Sequence, residues 1–234
     1  MNWKVIWNRK HKIKNPNNLK SLLKLNGYES TTSSVNSKEW KKYTQYFIKK
    51  YKIGKSTNIL DIGCGSGAFL IPFYKKTSNC FGIDYSKELI KYCRINMPKG
   101  KFIVSEASNL SKLNGKNFDI IFVNSVFQYF KNLNYSKKVL KNIISISNKN
   151  TKIFLLDIPD KNKYNNWKNY IINKYSEKHF DSNYSKLKHQ FYQKKMFKDF
   201  FKQRNFEVKI SDQKLIKKVN SKFRFNVFLK YEKK

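Results

Sequence analysis

Three of the chain's eight glycines fall within five residues, in the run Asp61-Ile62-Gly63-Cys64-Gly65-Ser66-Gly67. A sequence that otherwise avoids glycine has concentrated it where the apolar segment Asn58–Ile62 gives way to Ala68-Phe69-Leu70. That pattern predicts a buried parallel strand turning tightly into a helix that opens near Ser66. Glycine permits the unusual backbone angles of such a turn and lets a ligand approach the main chain closely. The spacing then narrows the ligand. A phosphate-cradling loop requires Gly-Lys-Ser/Thr after the glycines, and Gly67-Ala68-Phe69 stands there instead. A dinucleotide fingerprint requires G-x-G-x-x-G, and here the third glycine comes one residue early. A second apolar run, Cys80-Phe81-Gly82-Ile83, ends in Asp84, 17 residues beyond Gly67. An acid at the end of a second strand is placed to accept hydrogen bonds from both hydroxyls of a ribose.

The form Asp-Ile-Gly-Cys-Gly-Ser-Gly resembles motif I of the class I S-adenosylmethionine (SAM)-dependent methyltransferases. The resemblance implies that Asp61, Gly63, Cys64, Gly65 and Gly67 pass under the amino-acid and ribose parts of SAM. It makes Asp84, with Tyr85 beside it, the ribose site. Glu106 and Ala107, after the third strand Lys101–Glu106, would then lie beside the adenine. Phe118–Ser125 matches the family's fourth strand, whose end at Asn124 and Ser125 borders both cofactor and acceptor. Lys152–Pro159 is the fifth strand, and Glu207–Ser211 with Arg224–Tyr231 would close the sheet as an antiparallel hairpin. The implied fold is α/β: a Rossmann-like seven-stranded, mostly parallel sheet with helices on both faces. The match runs from about Lys52 to Tyr231. In one respect the chain departs from part of the family. Asn124-Ser125-Val126-Phe127 lacks the Asn/Asp-Pro-Pro-Tyr/Phe signature of enzymes acting on amide or base nitrogens, which argues against DNA amine methylation.

Methyl transfer from a sulfonium is an in-line displacement, so the protein mainly supplies alignment, and a hydroxyl acceptor benefits from a general base. Of the three histidines, His189 lies between the segment expected over the cleft and the next helix, and is the base candidate. His179 is the second choice, and His11 sits in a basic, solvated stretch. Asp157 ends an otherwise apolar strand, so it either emerges at the cleft as a catalytic carboxylate or caps the following loop. Gln128 and Tyr129, just after strand four, and Tyr192 are candidate acceptor contacts. Arg224, one of only four arginines, either binds an acceptor carboxylate or phosphate or pairs with Asp212 or Glu207. Neither the residue spacing nor sulfonium chemistry calls for a metal.

These residues need a scaffold, and 234 residues with 40% apolar side chains supply one large domain with a real core. Residues 1–50 read as an N-terminal arm or cap with a helix from Ser37 to Tyr51. Tyr28 or Trp40 either covers the cleft or packs against the sheet edge. Residues 51–234 form the methyltransferase domain. Within it residues 160–192 are polar, aromatic and irregular, and hang as an acceptor lid over the carboxyl ends of the strands. A helix over Lys194–Arg204 follows. Three cysteines without C-x-x-C spacing, no secretory leader and no apolar run of membrane length point to a cytoplasmic, reducing location. The net charge of +35 carries two readings. Lysine outnumbers arginine 46 to 4 and is spread evenly, which fits codon bias filling solvated faces better than a nucleic-acid surface, where arginine is favoured. A small-molecule N- or O-methyltransferase, less readily an S-methyltransferase, is therefore the leading expectation. An RNA- or protein-directed enzyme and a non-catalytic cofactor-binding protein are the alternatives.

Overall fold

The computed structural model describes residues 3–9, 16–28, 34–185 and 188–232. Seven strands form one sheet: β1 (Ile59–Ile62), β2 (Cys80–Asp84), β3 (Lys101–Val104), β4 (Ile120–Asn124), β5 (Lys152–Pro159), β6 (Phe206–Asp212) and β7 (Arg224–Tyr231). Their order is β3-β2-β1-β4-β5-β7-β6. The first five run parallel, and β7 pairs antiparallel with both β5 and β6. This is the Rossmann-like α/β sheet with an antiparallel C-terminal hairpin that motif I implied.

The central strands are mostly apolar because helices cover both faces. Alternate residues therefore enter opposite cores. Ile59, Phe122 and Phe154 pack with Trp40, Tyr43 and Phe47 of α3 (Ser37–Lys50) and with Leu89, Ile90 and Cys93 of α5 (Lys87–Asn96). Leu60, Ile121 and Leu155 pack with Val139, Leu140 and Ile143 of α6 (Leu133–Ser145) and with Phe197 and Phe201 of α9 (Lys194–Lys202). Asparagine or serine caps start several of these helices: Asn36 accepts from the Glu39 N–H, Ser86 from Leu89, and Asn132 from Tyr135.

Three local expectations change. The helix expected near Ser66 is only α4 (Ile71–Tyr74), because Gly65 and Gly67 hold left-handed backbone angles and the chain turns through Leu70 first. The segment after β5 is helical rather than irregular. It carries α7 (Tyr164–Tyr175) and α8 (Glu177–Phe180), and Trp167, Ile171, Phe180 and Phe223 give it a small core of its own. The N-terminal part contains two further helices, α1 (Trp3–Arg9) and α2 (Leu19–Leu25), and Asn26 caps the end of α2. His11 lies outside the described residues.

Candidate active site

The glycine turn is fixed from both sides. The backbone N–H groups of Gly63 and Cys64 donate to the Ile83 carbonyl at 2.7 and 3.0 Å, tying the turn to β2. At Gly65, with φ +56°, a Cβ would lie 2.5 Å from Asn26 Oδ1. That same oxygen accepts from the Ser66 N–H at 2.8 Å, and Ser66 Oγ donates to the Leu22 carbonyl. The end of α2 is thus clamped onto the turn. The turn residues do not all face one way. Gly63 and Gly65 line a cavity of about 670 Å³, whereas Asp61, Cys64 and Gly67 do not. A Cβ on Gly67 would meet Cys93 of α5 and Met97, which caps that helix, so that glycine serves helix packing.

Asp84 lines the cavity with its carboxylate anchored by two backbone donors, Gly65 N–H to Oδ2 and Ser86 N–H to Oδ1, both at 2.9 Å. Burial pushes its pKa up to about 6, against the opposing pull of those N–H groups. A carboxylate has roughly four acceptor positions, so it retains capacity toward the cavity. Tyr85, Glu106, Ala107, Asn124 and Ser125 share the same wall. Glu106 Oε2 accepts from Tyr135 Oη at 3.0 Å, and Asn124 Oδ1 from Tyr43 Oη at 2.9 Å. Asp61 is buried, and its Oδ1 has no hydrogen-bond partner among the described residues. Burial and the neighbouring Asp84 charge hold its pKa well above the usual carboxylate range. A glycine cradle, an anchored acid at the end of β2 and a second acid one strand further along fit SAM.

The other end of the cavity corrects two expectations. Asp157 does not reach it. A register shift in the β5–β7 pairing and a φ of +61° turn this residue inward, where it is 1% exposed. Its Oδ2 accepts from Lys218 Nζ at 2.5 Å and from Ser125 Oγ at 2.6 Å, while its backbone N–H donates to Asn226. Burial alone would raise its pKa, but the Lys218 and Arg224 charges outweigh it and hold the carboxyl below the usual range. It is a buried counter-ion, not a catalytic carboxylate. Tyr192 is likewise no acceptor contact: its ring is fully buried and its hydroxyl bonds Ser136 Oγ and the Phe127 carbonyl, both at 2.8 Å.

Tyr28, Gln128, Tyr129, His189 and Arg224 do line the cavity. Trp40 does not; its Nε1 donates to the Ala68 carbonyl inside the core. Arg224 pairs with neither Asp212 nor Glu207. Its Nη1 donates to Gln128 Oε1 at 3.2 Å and to the Asp157 carbonyl at 2.9 Å. His189 faces the cavity, but burial and the Arg224 charge push its pKa down to about 3, so it is a far weaker base than an imidazole in water. Its ring stacks on Trp3 (centroids 5.0 Å, interplanar angle 20°). Sequence reasoning passed over Trp3 and Trp7 of α1, which close this end edge-on to Tyr129 at 4.8 and 5.4 Å. Their i, i+4 spacing on a short segment was the available signal. Lys218 was also missed, and nothing in sequence separates it from the other lysines. No group of three His, Cys, Asp or Glu side chains among the described residues has the geometry to hold a metal ion.

Comparison with known proteins supports the geometry. The model of a methyltransferase domain matches residues 34–209. Among curated relatives, chondramide synthase of Chondromyces crocatus is 24% identical over 142 residues, and enniatin synthase of Fusarium equiseti is 31% identical over 108. Those matches cover 57% and 43% of this chain, and the chain spans only 4% and 3% of the synthases' length. The fold is shared with the plantazolicin methyltransferase BpumL solved with a substrate analog and SAH (TM-score 0.61, 19% identity, 83% and 82% of the two chains). It is shared also with the magnesium protoporphyrin IX methyltransferase of Synechocystis with bound SAM (TM-score 0.59, 9% identity, 97% and 89%). Sheet order, glycine turn and anchored acid together define a class I methyltransferase architecture. The chain belongs to the methyltransferase-domain family.

Proposed function

We propose that this enzyme methylates a nitrogen or oxygen, less readily a sulfur, of a small-molecule metabolite enclosed in the cavity. The observation that carries this reading is the aromatic lining of the acceptor end. Trp3 and Trp7 from the N-terminal segment and Tyr184 and His189 from the segment after β5 line the space beside Tyr129. The cavity's volume, about 670 Å³, falls in the range of small-ligand pockets, roughly 300–1,000 Å³. A strand of RNA or a protein side chain would need an open approach. The shared fold of methyltransferases named for plantazolicin and magnesium protoporphyrin IX supports an acceptor other than nucleic acid.

SAM, when bound, supplies an already activated methyl group. On this reading Gly63, Gly65, Asp84, Tyr85, Glu106, Ala107, Asn124 and Ser125 hold the cofactor, and Tyr28, Gln128, Tyr129 and Arg224 position the acceptor. Residues 1–50 act as the cap and 160–192 as the lid. With Asp157 locked in an ion pair and His189 a weak base, the chain's contribution is orientation and exclusion of water. An amine with a free lone pair needs nothing more. The three cysteines stand free and buried, which supports a reducing, cytoplasmic setting, and no described helix is long and apolar enough to cross a membrane. Salt dependence tests the reading. Turnover of a small acceptor should change little between 50 and 200 mM salt and ignore added RNA, whereas phosphate-driven recognition weakens by on the order of 10³-fold or more over that range. Strong RNA inhibition relieved by salt would instead favour the RNA-directed alternative.

A further inference from the structure

The acceptor end of the cavity is floored by two buried cations that share one carboxylate. Lys218 Nζ lies 2.5 Å and Arg224 Nη1 3.5 Å from Asp157 Oδ2, with the two cationic side chains 4% and 7% exposed. One negative charge against two positive leaves this site net positive and largely out of water. The neighbours add no second anion: Gln128 is neutral, and burial keeps Tyr129 protonated and His189 unprotonated near neutral pH. Lys218 is occupied by Asp157 and sits over the Tyr28 ring. Arg224 uses only Nη1, toward Gln128 and the Asp157 carbonyl. Its Nη2 and Nε make no hydrogen bond with the described residues, and neither is sealed from the cavity that the residue lines. A buried charge without a counter-ion is unfavourable, and a guanidinium edge matches a carboxylate through two parallel hydrogen bonds.

We propose that Arg224, backed by Lys218, binds a carboxylate of the methyl acceptor, so that the substrates are small aromatic acids. The proposal rests on the small-molecule reading and narrows it. The ring is expected because the walls beside Arg224 are themselves aromatic: Tyr129 and His189 stand edge-on at 5.7 Å, with Trp3 packed against both. The second possible source of a carboxylate is the cofactor's own amino-acid end. Strand order disfavours it, since Arg224 begins β7, separated from the glycine turn after β1 by β4 and β5.

The test uses matched probes on the full chain: benzoate, 2-aminobenzoate and 4-hydroxybenzoate, each beside its neutral amide. Binding is read by tryptophan fluorescence, because Trp3 and Trp7 line the cavity. The acids should bind at least tenfold more tightly than the amides. Arg224→Gln should erase that preference and Arg224→Lys keep part of it, with SAM affinity unchanged in both. The acid-to-amide ratio of the unmodified protein stands even if a variant folds poorly. Equal binding of acids and amides would overturn the carboxylate site while leaving the small-molecule reading intact. Weakened SAM binding in Arg224→Gln with the acid preference retained would assign the guanidinium to the cofactor and overturn the proposal. Failure of every probe would also overturn it, and failure accompanied by methylation of RNA would remove both readings.

Discussion

Asp84 offers the sharpest perturbation, because its environment fixes both the size and the pH dependence of the effect. Its two anchoring bonds, from the Gly65 and Ser86 N–H groups at 2.9 Å, set the carboxylate's direction. The ribose hydroxyls of SAM would donate to its remaining lone pairs. A hydrogen bond to a charged group contributes about 1.5–3 kcal/mol, so Asp84→Ala should weaken SAM binding by roughly 10- to 150-fold. The sign of the pH effect follows from the raised pKa of about 6. The ionised form is the one that accepts from the hydroxyls, and protonation removes it as pH falls through 6. With one such proton, affinity should drop about tenfold between pH 7 and pH 5. Stability runs the other way for this group: the folded state holds the proton more tightly than the unfolded chain, so its stabilising contribution is greatest below about pH 4 and is lost as pH rises through 6. Isothermal titration of SAM at pH 5, 6, 7 and 8, on the unmodified protein and on Asp84→Asn, measures both quantities. The variant should bind weakly with a flat profile. A flat profile in the unmodified protein, or full affinity in Asp84→Ala, would refute the placement of Asp84 at the ribose.

Other sites give independent checks. Gly65→Ala forces a Cβ against Asn26 and a left-handed backbone on alanine, so it should lose about 1–2 kcal/mol from the backbone and a further ~1 kcal/mol from the Asn26–Ser66 bond. In an Asn26→Ala background the second part should vanish, and strictly additive urea-unfolding energies would show that α2 does not clamp the turn. Asp157→Asn leaves Lys218 and Arg224 buried without their counter-ion and should cost about 3–5 kcal/mol of stability. Because the folded-state pKa of Asp157 is depressed, its contribution is present above about pH 4 and disappears as pH falls through the folded value. Loss of less than 1 kcal/mol in a denaturation experiment would mean the ion pair is not formed. For His189, whose pKa lies near 3, the pH profile of kcat should show no inflection around 6.5. His189→Gln should lower kcat less than the ~10²-fold of a lost general base. A larger drop with an inflection near 6.5 would restore it as the base.

The cofactor end was readable because it is local. Three glycines at two-residue spacing and an acid closing the next apolar run are contiguous patterns, and their physics, backbone angles and strand-end geometry, needs no long-range information. The seven strands follow from apolar runs of strand length in the order the resemblance demands. The acceptor end depends on pairings across long stretches of chain. Asp157 reads as a cleft carboxylate or a loop cap because it ends the otherwise apolar run Ile153-Phe154-Leu155-Leu156. The bulge that turns it inward toward Lys218 is a property of the β5–β7 register, which no window of sequence displays. Lys218 itself is one lysine among 46 until the fold buries it. Tyr192 reads as a contact from its position at the end of the lid, yet Ser136 and Phe127, more than fifty residues away, decide its partners. The start of the helix after the glycine turn differs from expectation for a nearer reason: the glycines that make the turn also delay regular helix until Ile71.

Transfer of a labelled methyl group tests most directly whether the cavity joins SAM to a small acceptor. The protein would be incubated with methyl-labelled SAM and a cell extract divided by ultrafiltration into small molecules and macromolecules, each supplemented in parallel with the aromatic acids named above. The account predicts label in the small-molecule fraction and among the acids, dependent on Asp84. Label confined to RNA or protein would contradict it.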